Sequence, residues 1–291
     1  YDRNVKSPEQ VKALCAEVSQ LGSHPIILVD QEGGKVRRLK DKLGFVPLPS
    51  AEAFAALSAE ERLRTARASY AQLVDLGIHY NLAPVVDLNL NPTNPDIGIH
   101  QRSYSADPAV VNACVEAVNT VAKEVNLGLC LKHYPGLGGA RTDSHNDLTD
   151  LSATIRDDQL ALFYDWGTRI HGEAVLVSHG IVRQWGGDQP ITVSKVGLAN
   201  LRKRLPNALL MSDDLQMQGL QKVMPTAEAL PVCLGAGLDL MLIGNNVMDE
   251  EPTAIRLTEK LESAVAADPV LAANLAASSA RVQDRKRRLA R

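Results

Sequence analysis

"HPIILVD", residues 24–30, opens on a polar residue, runs through Ile26, Ile27, Leu28 and Val29, and ends on Asp30. A short apolar run closed by a polar residue reads as a strand buried on both faces. The pattern returns in "HYNLAPVVDL" (79–88), "LGLCLKHY" (127–134), "AVLVSHG" (174–180), "ALLMSDD" (208–214) and "LDLMLIG" (238–244). Helical stretches lie between these runs. Ser7 and Pro8 open the first as N-cap and N1 proline. Residues 50–76, rich in Ala, Leu, Glu and Arg, form the second. Others fall near 107–126, 156–172, 193–204, 226–236 and 250–264, and a last one runs from about 268 to the end. Buried strands alternating with helices predict an α/β fold with a parallel sheet.

Two architectures fit: an open doubly wound sheet and a (β/α)8 TIM-type barrel. No GxGxxG follows a strand, which weakens the dinucleotide-binding version of the first. The polar residues favour the second. Almost every strand ends in them: Asp30-Gln31-Glu32, Asp87, Lys132-His133, His179, Asp213-Asp214 and Asn245-Asn246. In a barrel, groups at the C-terminal ends of different strands converge on one mouth. Six strands do not close an eight-stranded barrel. The chain starts at Tyr1 without an initiator Met, so the expectation is that two strands precede it. No Pro/Gly/Ser-rich linker divides the chain, so residues 1–291 are expected to form a single domain.

Composition narrows the function. Apolar residues make up 45% of the 291 and charged residues 22%, with a net charge of −3. Nothing there points to nucleic acid or a membrane surface. No apolar run approaches the roughly 20 residues that span a bilayer. Cys15, Cys114, Cys130 and Cys233 are far apart and each lies in an apolar stretch, so buried free thiols are expected. That favours a reducing, cytoplasmic setting.

The chemistry concentrates in four segments. "VDQEGGKVRRL" (29–39) follows two carboxylates with a glycine pair and three basic residues, which marks Asp30 and Arg38. "NPTNPDIGIHQRSYS" (91–105) is a long loop, and long loops are usually functional; Arg102 is its ligand-facing side chain. "KHYPGLGGARTDSHNDL" (132–148) begins at a strand end with Lys132 and His133, passes Pro135 and three glycines, and reaches Asp143-Ser144-His145. An Asp two residues from a His can fix its tautomer and raise its basicity, which makes a proton-transfer pair. Gly136, Gly138 and Gly139 read as the hinge of that loop. "LLMSDDLQMQGL" (209–220) ends a strand on two adjacent acids, and adjacent strand residues point opposite ways. Only one of Asp213 and Asp214 can face the barrel axis. A metal site built from His133, His145, His179 and Asp213 lacks the opening H-x-H of metal-dependent barrel hydrolases. A serine nucleophile elbow, GxSxG, is absent.

Taken in order, "VDQEGGKVRRL", "NLAPVVDLN…NPDIGIHQRSYS", "LKHYPGLGG…TDSHNDL", "LVSHGIV", "LMSDDLQMQGL" and "AGLDLMLIGNN" resemble the family 3 glycoside hydrolases, in their bacterial β-N-acetylglucosaminidase branch. The resemblance covers residue 1 to beyond 246. It implies a (β/α)8 barrel with two strands ahead of the stretch matching "YDRN". It also implies retaining hydrolysis of terminal β-linked N-acetylglucosamine through a covalent glycosyl-aspartate. By the same resemblance Asp213 is the nucleophile, and His145, paired with Asp143, is the acid/base. Sugar-binding positions carry over to Asp30, Arg38, Arg102, Lys132 and His133, with His179 beside the site. No metal or organic cofactor is implied. The implied partner is a small β-GlcNAc saccharide or muropeptide, as in peptidoglycan recycling, with the protein a monomer or weak oligomer. A β-glucosidase or a phosphorylase of the same family, and a non-catalytic sugar-binding barrel, are the alternatives. Two positions depart from the branch: Tyr134 replaces a Phe, and Leu137 replaces a second His.

Overall fold

The computed structural model describes residues 1–144, 147–245 and 253–290. Six strands form one sheet: β1 (Leu28–Val29), β2 (Tyr80–Asn81), β3 (Gly128–Tyr134), β4 (Ala174–Val177), β5 (Leu209–Asp214) and β6 (Leu240–Leu242). Each lies within one of the six apolar runs. They pair in chain order, and every pair is parallel. A doubly wound sheet reverses its strand order partway; this one does not.

Among the described residues eight helices of ten residues or more accompany the strands: α1 (Pro8–Ser19), α2 (Ala59–Asp75), α3 (Pro108–Val125), α4 (Asp157–Trp166), α5 (Lys195–Arg204), α6 (Thr226–Ala236), α7 (Thr253–Ala267) and α8 (Pro269–Leu289). Ser7, Asp107, Ser194 and Asp268 cap α1, α3, α5 and α8 with their side chains, each cap being worth about 1 kcal/mol. The stretch expected as one helix over 50–76 divides in two. A short helix, Ala51–Ala55, stops, and Ser58 starts α2 by a capping box in which its hydroxyl and the Glu61 carboxylate each accept the other's backbone N–H. That start signal outweighs the helical composition around it.

Side chains along the central strands alternate between two cores. Leu129, Leu131, Val175, Val177 and Leu210 point outward and pack with helical residues such as Val111, Val115, Leu160 and Leu198. Cys130, Ala174, Leu176, Leu209 and Met211 point inward and join Leu28, Tyr80, Leu82, Leu240 and Leu242. Leu28 and Leu240 belong to the two edge strands, so the sheet must curl for them to share one inner core. The result is a curled, half-barrel sheet. The six strands expected are formed among the described residues with β1 and β6 as edges, and a complete eight-stranded barrel is not shown.

The last helix closes the end of the inner core away from the strands' C-termini. Val282 and Leu289 of α8 pack into that core. Arg285, 1% exposed, donates to the carbonyls of Gly172 and Asn207, which precede β4 and β5, and pairs with Glu173 and Asp284. All four cysteines are buried and free. No helix among the described residues is long and apolar enough to cross a membrane.

Candidate active site

The register of β5 decides between its two terminal acids. Leu209 and Met211 face inward, so Asp213 shares their side and Asp214 does not. Asp213 reaches a cleft of about 620 Å³ at the C-terminal ends of the strands, with Asp30, Arg38, Arg102, Lys132, His133 and Asp143 also on its walls. Six side chains marked in the sequence on three separate segments thus meet Asp213, from a fourth, in one cleft. Asp214 is tied into the wall: its carboxylate accepts from the backbone N–H groups of Gln216 and Gly244, both at 3.0 Å, and from the Tyr1 hydroxyl at 3.3 Å.

One wall is a buried chain of alternating charge. Asp30 binds Arg38 at 3.0 Å and Lys132 at 2.9 Å. Lys132 also reaches Glu32 at 2.6 Å. Glu32 grips Arg102 through both carboxylate oxygens, at 2.8 and 2.9 Å. Burial by itself would raise the carboxyl pKa values, but Lys132 and Arg38 outweigh it at Asp30 and hold that acid well below its ordinary range. Against the same burial, Arg102 and Lys132 bring Glu32 down to about 2. Burial would likewise deprotonate Lys132, yet Asp30 and Glu32 keep its pKa raised. The wall is therefore fully ionised near neutrality, a set of fixed donors and acceptors suited to hydroxyl groups.

Glu32 carries a testable consequence. Its folded pKa lies below the ordinary 4.5, so its stabilisation is complete above about pH 4.5 and is lost as pH falls towards 2. Glu32→Ala leaves the buried Arg102 without its carboxylate and Lys132 with Asp30 alone, and should cost about 3–5 kcal/mol at neutral pH in urea unfolding. The gap between wild type and variant should shrink as pH is lowered. A gap that is absent at pH 7, or that widens in acid, contradicts this account.

His133 is the next link. Its peptide bond to Lys132 is cis, and both side chains face the cleft. Arg102 donates from Nη2 to His133 Nε2 at 3.0 Å. A guanidinium has no acceptor, so Nε2 is unprotonated and Nδ1–H donates to Asp87 at 2.7 Å. The fully buried Asp87 also accepts the backbone N–H groups of His133 (3.2 Å) and Leu137 (2.9 Å). In this arrangement His133 has no ring N–H to offer a sugar hydroxyl; it orients Arg102 instead.

The glycine-rich loop differs from the expected hinge. Leu137, Gly138, Gly139 and Ala140 are all buried. A Cβ on Gly138 would run into the Leu88 carbonyl, and one on Gly139 would meet Thr154 Cβ at 2.7 Å. These two glycines serve close packing rather than free rotation. Leu137 lies on the cleft wall while its carbonyl accepts from Asn94 at 2.7 Å. Asp143 and Ser144 follow on the rim. His145 lies outside the described residues, as does Asn246.

His179 sits behind the cleft wall rather than in it. Burial keeps its pKa below the ordinary value. The neutral ring donates from Nε2 to the Asp214 carbonyl at 2.9 Å and accepts from Thr192 at Nδ1, at 2.8 Å. It braces the end of β5. Sequence reasoning gave no role to Glu32 or Asp87, although both were visible at strand ends. Their polarity was legible, but their partners, 70 and 46 positions away, were not. Among the described residues no three His, Cys, Asp or Glu side chains gather as metal ligands.

The chain is similar to proteins of known class. The model of the glycosyl hydrolase family 3 N-terminal domain matches residues 1–285. A β-hexosaminidase of Thiobacillus denitrificans is 30% identical over 257 residues, 84% of this chain and 70% of that protein. One from Haemophilus influenzae Rd is 32% identical over 257 residues, covering 84% and 71%. Among solved structures, a β-N-acetylhexosaminidase from Beutenbergia cavernae superposes with a TM-score of 0.83 at 25% identity, covering 96% of this chain and 84% of the other. A family 3 β-N-acetylglucosaminidase from Paenibacillus sp. FPU-7 does so with a TM-score of 0.86 at 27% identity, covering 100% and 56%.

Proposed function

This chain belongs to glycosyl hydrolase family 3 and is a glycoside hydrolase acting on carbohydrate, and from that premise we propose that it is a retaining exo-β-N-acetylhexosaminidase. The observation that carries the reading is the inward register of Asp213, which brings a carboxylate into a cleft walled by ionised side chains suited to hydroxyl groups. The names of the relatives, β-hexosaminidase and β-N-acetylglucosaminidase, support the N-acetyl class of substrate. We read the curled sheet as the larger part of a (β/α)8 barrel and residues 1–291 as one catalytic domain.

In the proposed reaction Asp213 attacks the anomeric carbon as the bond to the leaving oxygen breaks. His145, oriented by Asp143, gives its proton to that oxygen. Water then attacks the same carbon, His145 takes the water's proton, and the bond to Asp213 breaks. Asp30 accepts from sugar hydroxyls, while Arg38, Arg102 and Lys132 donate to hydroxyls or the acetamido oxygen. Asp87 and His133 hold Arg102, and His179 steadies the nucleophile strand. No metal or organic cofactor takes part. A terminal β-GlcNAc saccharide or muropeptide is the proposed substrate.

A panel of aryl β-glycosides tests this. The N-acetylglucosaminide should be cleaved with kcat/KM at least about tenfold above the plain glucoside, a difference of about 1.4 kcal/mol in transition-state binding. Preference for the glucoside sinks the N-acetyl assignment. Sugar-1-phosphate appearing on addition of phosphate makes the enzyme a phosphorylase.

A further inference from the structure

We propose that Asp96 and Gly219 form a two-sided clamp that holds the acid/base loop at the cleft, which makes both of them positioning residues. The inference rests on the acid/base reading above. Asp96 is buried, and its Oδ2 accepts the backbone N–H of the buried Ser144 at 2.9 Å. Asp96 is itself fixed: its N–H donates to Asn94 Oδ1 at 2.8 Å, and its carbonyl accepts from Arg102 Nη1 at 2.9 Å. One residue therefore links the arginine of the sugar-binding wall to the segment proposed to deliver the proton.

The opposite side of the loop rests on a glycine. Gly219 lies six residues beyond Asp213, in the short helix Gln218–Gln221. A Cβ there would stand 2.7 Å from the Asp147 carbonyl oxygen and 3.2 Å from that of Ser144. Both are backbone atoms, so any side chain at this position must push the loop away. The Asp147 N–H in turn donates to the Asp143 carbonyl at 3.0 Å. Lys222 pairs with Asp147 at 3.1 Å, but both are exposed and the pair adds little. Among the described residues the clamp includes a charge-assisted hydrogen bond from the rim loop and a backbone contact from the segment after the nucleophile. The backbone of Gly219 is helical, so Gly219→Ala reports on the contact and not on strained dihedrals.

Three variants test the clamp: Asp96→Ala, Asp96→Asn and Gly219→Ala, each assayed on N-acetylglucosaminides with good and poor leaving groups. Displacing an acid by a fraction of an ångström should cost about 10- to 100-fold in kcat/KM on poor leaving groups and less than about threefold in kcat/KM on dinitrophenyl glycosides. Asp96→Asn keeps an acceptor oxygen and should recover most of the rate. Amide hydrogen exchange at Ser144 should quicken in Asp96→Ala and be restored in Asp96→Asn. Equal losses on both classes of leaving group, or unchanged exchange at Ser144, overturn the clamp. Should the wild type fail to cleave any β-N-acetylglucosaminide, the N-acetylhexosaminidase reading falls and Ser144 exchange alone decides the clamp.

Discussion

Asp213→Ala is expected to lose activity on every β-N-acetylglucosaminide by on the order of 10⁴-fold or more, the scale seen when a nucleophile is removed. The loss should be independent of the leaving group, because no covalent intermediate can form whatever departs. The fold should survive. Asp213 makes one local bond, accepting the N–H of Asp214 at 2.9 Å, and its side chain looks into the cleft. Asp214→Ala is the contrasting variant. Its carboxylate anchors Gln216 and Gly244, so its loss should show first in unfolding curves. Rates within about tenfold of wild type for Asp213→Ala would remove it from the nucleophile role.

His145→Ala should divide substrates by leaving group. Loss of a general acid costs about 10²- to 10⁴-fold, and that cost falls on alkoxides that cannot depart without a proton. Dinitrophenolate needs none, so its first step should be nearly untouched. Asp143→Ala should show the same pattern at smaller amplitude, since it removes the partner and leaves the imidazole. The measurement is kcat/KM against leaving-group pKa: a steep slope in the variants and a shallow one in wild type. Parallel lines would argue that neither residue handles the proton.

Much of this protein follows from local pattern. Six apolar runs became six strands, and the helix starts at Ser7 and Asp107 fell where their capping residues stand. The division at Ser58 was also written locally, in the Ser58–Glu61 pair. The rule that adjacent strand residues diverge required a choice between Asp213 and Asp214, and the inward side of Leu209 and Met211 made it. The tight packing at Gly138 was not legible because flexibility is intrinsic to the residue, whereas the Leu88 carbonyl that fills the space beside it arrives from another strand end. The bracing by His179 was not legible either: its two ring partners, Thr192 and Asp214, lie 13 and 35 positions away.

By itself the sequence determined the elements, their order, and which strand ends carry acids and bases, because periods of 2 and 3.6 are properties of neighbouring residues. Only the tertiary structure decided what those groups do. Lys132 meets Asp30 across 102 positions and Arg102 meets Glu32 across 70. Those pairs exist because the sheet curls, and curling depends on how the whole inner core packs. Ionisation, tautomer and the footing of the acid/base loop all follow from that closure.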